Sequence, residues 1–219
     1  MFTNAATPIN LWASTDRGRS WSVRYVFQNH RHGHGLAIDH NSGAIWAMFG
    51  DTTPQSGTYK STDGGRTWLT MVTGQEGDVV DATVLPNGTL LFGQDISYLP
   101  SEPHVATVTP SGDYNEGFRL TSAAYSTFGH KDGALLVGCS REVGSDVIAA
   151  GDTSAHIFGS ADAVHWKELL KVAPNNVNDD VRLDAYWELP TGEVLLEAYN
   201  AAVFGGRGYY IVKLRQVLP

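Results

Sequence analysis

The segment Ser61-Thr62-Asp63-Gly64-Gly65-Arg66-Thr67-Trp68 decides the fold, because the same pattern, S-x-D-x-G-x-x-W, also spans Ser14–Trp21. A shorter copy without the glycine, SADAVHW, spans Ser160–Trp166. In such a segment the Asp side chain can accept N–H groups of its own turn, the glycine allows a positive φ, and the Trp ring packs on neighbouring strands. We therefore interpret the three segments as structural turns and exclude them as candidate catalytic sites.

A second pattern repeats in phase with these turns: an apolar strand, a turn with glycine, and another apolar strand. Its copies are Leu36–Phe49, Val79–Phe92, Ala123–Val137 and Leu183–Leu196. The turn glycines lie 45, 45 and 59 residues apart, and Val105–Tyr114 falls where a further S-x-D turn would belong. A period of ~40–50 residues with four short strands per unit is typical of propeller blades. The sequence therefore predicts an all-β protein, a β-propeller of about four to five blades.

The ends of the chain contain incomplete units. Residues 8–27 match the two outer strands of a first blade, and residues 180–215 match the three inner strands of the last. Either the ends combine into one closing blade, or the chain is part of a larger ring or oligomer. Proteins normally avoid an unpaired edge strand, which favours closure. We expect residues 1–219 to form a single propeller domain.

The repeated turn resembles the Asp-box, or BNR repeat, of sialidase-like propellers. The segment from His32 to Asp51, HGHGLAIDHNSGAIWAMFGD, is similar to uncharacterised Asp-box proteins of bacteria and phages. This resemblance implies the fold but no single function, because Asp-boxes occur in hydrolases, lyases, receptors and assembly factors. The Phe-Arg-Ile-Pro motif of true sialidases is absent, and Phe118–Thr121 is the nearest match. Sialidase activity is therefore not expected.

Composition narrows the classes of partner. The net charge is −8, and the chain has no basic run, which argues against nucleic acids and anionic membranes as partners. The single cysteine excludes an internal disulfide. No apolar run approaches the ~20 residues of a membrane-spanning helix, and no signal peptide is visible. We expect an extracellular or virion-associated protein, such as a phage tail or cell-surface component.

Alternating strand direction brings the starts of the inner strands and the ends of the second strands to one face near the propeller axis. The inner strands start at His34, Asp81, Ser122 and Asp184, and the second strands end at Asp51, Asp95, Ser140 and Asn200. Two rings of polar groups at a channel mouth indicate a sugar or metal site. Alternatively, they line a channel that holds water.

Carboxylates on this face are the candidate catalytic residues. A glycosidase needs two of them, ~5–5.5 Å apart for retention or ~6.5–9.5 Å apart for inversion, and Asp81, Asp184 and Glu197 are the candidates. The candidate ligand-binding residues are His30, His34, Asp51, Asp95, Tyr98, Arg141, Arg182 and Asn200.

The segment from His30 to His34 carries histidines at alternate positions. In an extended strand such residues point the same way, so His32 and His34 could bind a divalent transition metal together with Asp51. A hydrogen-bonded polar loop is the alternative. No other cofactor is predicted.

Three functions remain open from the sequence. The favoured one is a binding module that recognises a glycan or a protein partner through the His/Asp-rich face. The alternative is a glycan-cleaving, glycoside hydrolase-like enzyme that uses a carboxylate pair or a His/Asp metal site there. The third is a structural assembly protein without a small-molecule site.

Overall fold

Within the residues that the structure describes, the regular structure consists of seventeen β-strands and one 3₁₀ turn at Gly74–Gly77. The computed structural model describes residues 6–51, 53–96, 102–143, 152–176 and 178–214. The strands are β1 (Thr7–Ala13), β2 (Ser22–His30), β3 (His32–Ile38), β4 (Ile45–Gly50), β5 (Gly57–Ser61), β6 (Leu69–Thr73), β7 (Ala82–Val84), β8 (Leu90–Gly93), β9 (His104–Val108), β10 (Tyr114–Arg119), β11 (Ala124–Gly129), β12 (Leu135–Cys139), β13 (Ala155–Ser160), β14 (Trp166–Val172), β15 (Arg182–Glu188), β16 (Val194–Ala201) and β17 (Gly206–Val212). Within the described residues, no helix has the length and apolar character needed to cross a membrane.

The strands form five antiparallel sheets in chain order. The first sheet is β1-β2, the second β3-β4-β5-β6, the third β7-β8-β9-β10, the fourth β11-β12-β13-β14 and the fifth β15-β16-β17. Each sheet is a meander whose strands follow one another from the inner to the outer edge. The predicted all-β propeller of four to five blades is confirmed.

The hydrophobic core is divided among the spaces between consecutive sheets. Leu91 and Phe92 are adjacent on β8 and both fully buried, yet they enter different cores. Phe92 packs with Trp46 of the second sheet, whereas Leu91 packs with Val137 of the fourth. Successive side chains of a strand point to opposite faces, so an apolar strand covers a neighbouring sheet on each side.

Two glycines allow the closest approach between sheets. A Cβ atom on Gly93 would lie 2.3 Å from Cβ of Ala124, and one on Gly138 would lie 2.2 Å from the carbonyl oxygen of Leu183. Each glycine stands five residues after the turn glycine of its hairpin, and the fifth sheet carries Glu197 at that position. The side chain of Glu197 therefore occupies the position at which the third and fourth sheets contact the next sheet.

The three S-x-D turns have the same pattern of hydrogen bonds, each formed within its own turn. Asp63 Oδ1 accepts the N–H of Thr67 at 3.0 Å, Asp16 Oδ1 accepts that of Ser20 at 2.9 Å, and Asp162 Oδ1 accepts that of His165 at 2.7 Å. The side chain and the N–H of Ser20 hold the pKa of Asp16 at about 2. These carboxylates are engaged in shaping the hairpins, as expected from the sequence.

The two end sheets are not joined in the described part of the chain. There, β17 pairs with β16 and β1 pairs with β2, with no ladder between β17 and β1. The combined closing blade favoured by the sequence is thus not formed among these residues. Tyr209 and Ile211 of β17 remain exposed.

Truncating Leu91 should test the packing between sheets. Leu91→Ala removes a fully buried side chain and is expected to lower the free energy of unfolding by about 2–5 kcal/mol. Leu69→Ala, at a position that is 68% exposed, should change it by less than ~0.5 kcal/mol. Urea denaturation of both variants measures the difference, and equal losses would contradict the core assignment.

Candidate functional site

Polar side chains near the axis connect the inner strands of successive sheets. Asp81, just before β7, accepts the N–H of Ala82 at 2.9 Å and that of Thr127 on β11 at 3.1 Å. Ser126 Oγ in turn accepts the N–H of Ala185 on β15 at 3.0 Å. Burial raises the pKa of Asp81, although these N–H groups oppose the shift. Asp81, a candidate catalytic residue, thus links the third and fourth sheets.

Asp184 and Glu197, the other candidate catalytic residues, are direct cross-strand partners on β15 and β16. Asp184 is only 4% exposed, and its Oδ1 has no hydrogen-bond partner among the described residues. Burial raises the pKa of Asp184, and the charges of Glu197 and Asp81 add to the rise, against a hydrogen bond from Tyr186 and the charge of Arg182. The fifth sheet therefore carries a buried carboxyl group that resists ionisation beside a second carboxylate.

A cleft of about 350 Å³ opens over this pair. Tyr186 and Tyr199 border it and are 40% and 52% exposed. Arg207 forms an ion pair with Glu197. The full lining is Glu142, Asp180, Arg182, Asp184, Tyr186, Glu197, Tyr199 and Arg207. The cleft thus combines aromatic rings with charges of both signs.

The guanidinium group of Arg182 is held in place at the rim of this cleft. Its Cζ lies 4.2 Å from the ring centroid of Tyr125, and its Nη2 donates to Glu142 Oε1 at 3.2 Å. The Tyr125 hydroxyl donates to the same Glu142 oxygen at 2.6 Å. A stacked and ion-paired arginine presents a fixed fork of donors, so the guanidinium group of Arg182 has a defined orientation at the cleft.

The His/Asp cluster lies at the adjoining ends of β3 and β4. His34 Nε2 is 2.8 Å from His32 Nε2 and 3.0 Å from Asp51 Oδ1, while Arg31 Nη1 donates to Asp51 Oδ2 at 2.5 Å. Burial lowers the pKa of His32. For His34 burial acts in the same direction, but hydrogen bonds to Asp51 and to the carbonyl of Val79 outweigh it and raise the pKa. The structure thus brings together the three residues that the sequence predicted as neighbours: His32, His34 and Asp51.

His30 does not belong to this cluster. Its ring is buried, stacks on Phe49 with centroids 4.1 Å apart, and places Nδ1 2.6 Å from the carbonyl oxygen of Gln55. The expected alternation of three histidines fails because the backbone bends at Arg31, between the end of β2 at His30 and the start of β3 at His32. We therefore correct the prediction that His30 binds a ligand and assign it to the core.

Asp78 is a site residue that the sequence analysis missed. It is 2% exposed, and burial raises its pKa to about 7. A carboxylate oxygen of Asp78 lies within 4.8 Å of donor atoms of His34 and Asp95. The N–H of Asp95, a residue that was predicted, donates to the carbonyl of Asp78 at 2.9 Å. The only signal in the sequence was an acidic residue preceding the apolar Val79-Val80 pair.

The remaining candidates lie near the fifth sheet or outside the described residues. Arg141 pairs through its backbone with Val181, and Asn200 Nδ2 donates to the carbonyl of Asp180 at 2.8 Å. Both therefore stand beside the cleft but make structural contacts. Tyr98 lies outside the described residues.

Comparisons with known proteins identify the fold. No family model matches the chain, and no curated protein matches it. One similar solved structure is the α-L-arabinanase of Penicillium chrysogenum complexed with arabinobiose, with a TM-score of 0.51 and 14% identity over 95% of this chain and 66% of that chain. A Hadza microbial sialidase matches with a TM-score of 0.51 and 15% identity over 85% of this chain and 45% of that chain. YCF48 bound to D1 peptide matches with a TM-score of 0.54 and 11% identity over 96% of this chain and 64% of that chain. The chain thus spans less than half of the sialidase. At these identities the likeness shows the β-propeller fold alone.

Replacing Asp184 by Asn should make stability less dependent on pH. A carboxyl group whose pKa is raised on folding stabilises the folded state less as pH rises from its unfolded value, near 4, through its folded value. The melting temperature of Asp184→Asn relative to the native chain should therefore be higher at pH 8 than at pH 4. Asp113→Asn is the control of opposite sign, because hydrogen bonds from Ser111 and Thr109 lower the pKa of Asp113. If the melting temperature of Asp184→Asn differs from that of the native chain by the same amount at both pH values, the raised pKa of Asp184 is contradicted.

Proposed function

We propose that this protein is a glycan-recognising propeller whose ligand occupies the cleft on the fifth sheet. The observation that carries the proposal is the contrast between the two faces of that sheet. Leu183 and Leu196 pack against the fourth sheet, whereas the opposite face presents Asp184, Glu197 and Tyr199 to the cleft. Such a recognition module would suit a cell-surface or virion component.

The chemistry of the cleft fits a sugar. Pyranose rings offer apolar C–H faces and a rim of hydroxyl groups, and binding sites combine aromatic surfaces with a few well-placed polar groups. Tyr199 and Tyr186 supply exposed rings. Glu197 can accept hydroxyl protons, while Arg182 and Arg207 can donate to ring substituents or to a carboxylate. The volume of about 350 Å³ suits a short saccharide.

The structural neighbours support glycan recognition and leave one alternative. The arabinanase complexed with arabinobiose and the sialidase are named for glycan substrates. YCF48 is bound to a peptide, which keeps a peptide ligand as the alternative. The charged, partly enclosed cleft favours the sugar.

A glycan array should identify the ligand class, and the Tyr199→Ala variant should locate its site. Removing an exposed ring that stacks on a sugar is expected to weaken binding at least about fivefold, equivalent to ~1 kcal/mol. Trp12→Ala is the matched control, because Trp12 is 53% exposed on the first sheet. Titration calorimetry with the best array hit measures both variants. A ligand that Tyr199→Ala binds as tightly as the native chain would place recognition elsewhere.

A second candidate function is glycoside hydrolysis by Asp184 and Glu197. Asp184 and Glu197 are direct cross-strand partners and both line the cleft, so their carboxyl groups can face one glycosidic bond as the carboxylate pair that a glycosidase needs. Asp184, with its raised pKa, would act as the proton donor, and Glu197 as the nucleophile.

Asp184→Asn separates the two candidates. It keeps the shape of the side chain but cannot donate a carboxyl proton, so hydrolysis should fall by about 10²–10⁴-fold while sugar binding persists. Asp113→Asn, on an exposed turn, controls for nonspecific effects. Mass spectrometry of the array sugars after incubation detects cleavage. Bound glycans that the native protein leaves intact would eliminate the hydrolase and retain the binding module.

A further inference from the structure

Three donor atoms of the His/Asp cluster converge on one point, with separations equal to or somewhat shorter than those of metal ligands. His32 Nε2, His34 Nε2 and Asp51 Oδ1 form a triangle with sides of 2.8, 3.0 and 3.4 Å. In a tetrahedral zinc site with bonds of about 2.0–2.1 Å, neighbouring ligand atoms are about 3.3–3.4 Å apart. We propose that His32, His34 and Asp51 bind a divalent transition-metal ion of the Zn²⁺ type, at a site separate from the cleft on the fifth sheet.

Neighbouring groups orient two of the three ligands. His34 Nδ1 is 2.8 Å from the carbonyl oxygen of Val79, so it donates its proton there, and in the neutral imidazole Nε2 keeps a lone pair for the ion. Arg31 binds the second oxygen of Asp51 and leaves Oδ1 facing the histidines. Hydrogen bonds of this kind fix the tautomer and the direction of metal ligands.

Asp78 provides an independent observation. It is 2% exposed, and its Oδ1 has no hydrogen-bond partner among the described residues. This oxygen borders His34, because a Cβ atom on Gly50 would lie 2.3 Å from Asp78 Oδ1 and 2.1 Å from His34 Cε1. Buried carboxylates are normally paired or bound to a metal. A cation at the cluster would supply the missing counter-charge.

The donor set and its exposure indicate the class of ion. Two imidazole nitrogens and one carboxylate suit Zn²⁺ and its first-row neighbours, whereas Ca²⁺ and Mg²⁺ prefer oxygen ligands. The side chain of His32 is 42% exposed, so a fourth coordination position can face solvent. Three protein ligands with one open position are typical of catalytic zinc sites, whereas structural zinc sites have four.

Titration calorimetry with Zn²⁺ tests the proposal on tag-free protein that has been treated with EDTA and dialysed. One ion per chain is expected, and Co²⁺ in its place should give the visible absorption of a four-coordinate ion. His32→Gln and Asp51→Asn should each weaken Zn²⁺ binding at least tenfold, and Asp78→Asn about 10–100-fold, as for other neighbours of metal ligands. His40→Gln, at an exposed histidine in the β3–β4 turn, should bind as the native chain does.

The readouts require no sugar, so they succeed or fail independently of the proposed glycan cleft. Because His32 is largely at the surface, His32→Gln should keep the fold, which far-UV circular dichroism verifies. Absence of stoichiometric Zn²⁺ binding, or unchanged affinity in folded His32→Gln, would overturn the site. Equal binding of Mg²⁺ would overturn the assigned class of ion.

Discussion

The rest of the structure depends on the burial of both faces of a sheet in the middle of the series. In the third sheet, adjacent residues such as Leu91 and Phe92 pack into different cores, so this sheet needs a neighbour on both sides. Gly93 and Gly138 then bring successive sheets into backbone-level contact. The fifth sheet differs from the third and fourth because it carries Glu197 where they carry these glycines. The residue at this strand position therefore affects both how closely two sheets pack and what lines the cleft on the fifth sheet.

Aspartate side chains make different contacts at the two ends of the strands. At one end the S-x-D turns satisfy their own backbone donors with Asp16, Asp63 and Asp162, and these carboxylates are engaged there. Near the axis, Asp81 joins neighbouring inner strands, whereas Asp184 at the matching position has an unpartnered oxygen. At matching positions, Asp81 therefore accepts an N–H group from the next sheet, whereas Oδ1 of Asp184 has no such partner among the described residues.

The sequence predicted what local pattern determines. The repeated turns and their spacing identified the propeller, and strand direction predicted one face shared by Asp184, Glu197, His34 and Asp51. It failed for His30, because the bend at Arg31 between β2 and β3 interrupts an alternation that spacing alone suggests. It also missed Asp78, whose burial depends on Gly50 and His34 from another sheet. Comparing Glu197 with the equivalent glycines could have revealed the open face.

The one-sided packing of the fifth sheet has a thermodynamic consequence. Regions with fewer buried contacts open more readily than the rest of a protein. Tyr209 and Ile211 of β17 are exposed, and no strand pairs with the outer edge of β17 in the part of the chain that the structure describes. A ligand in the cleft would contact β15, β16 and β17 together, and anything that binds only the folded form stabilises it by mass action. A bound ligand would therefore make the local opening of this sheet depend on ligand concentration.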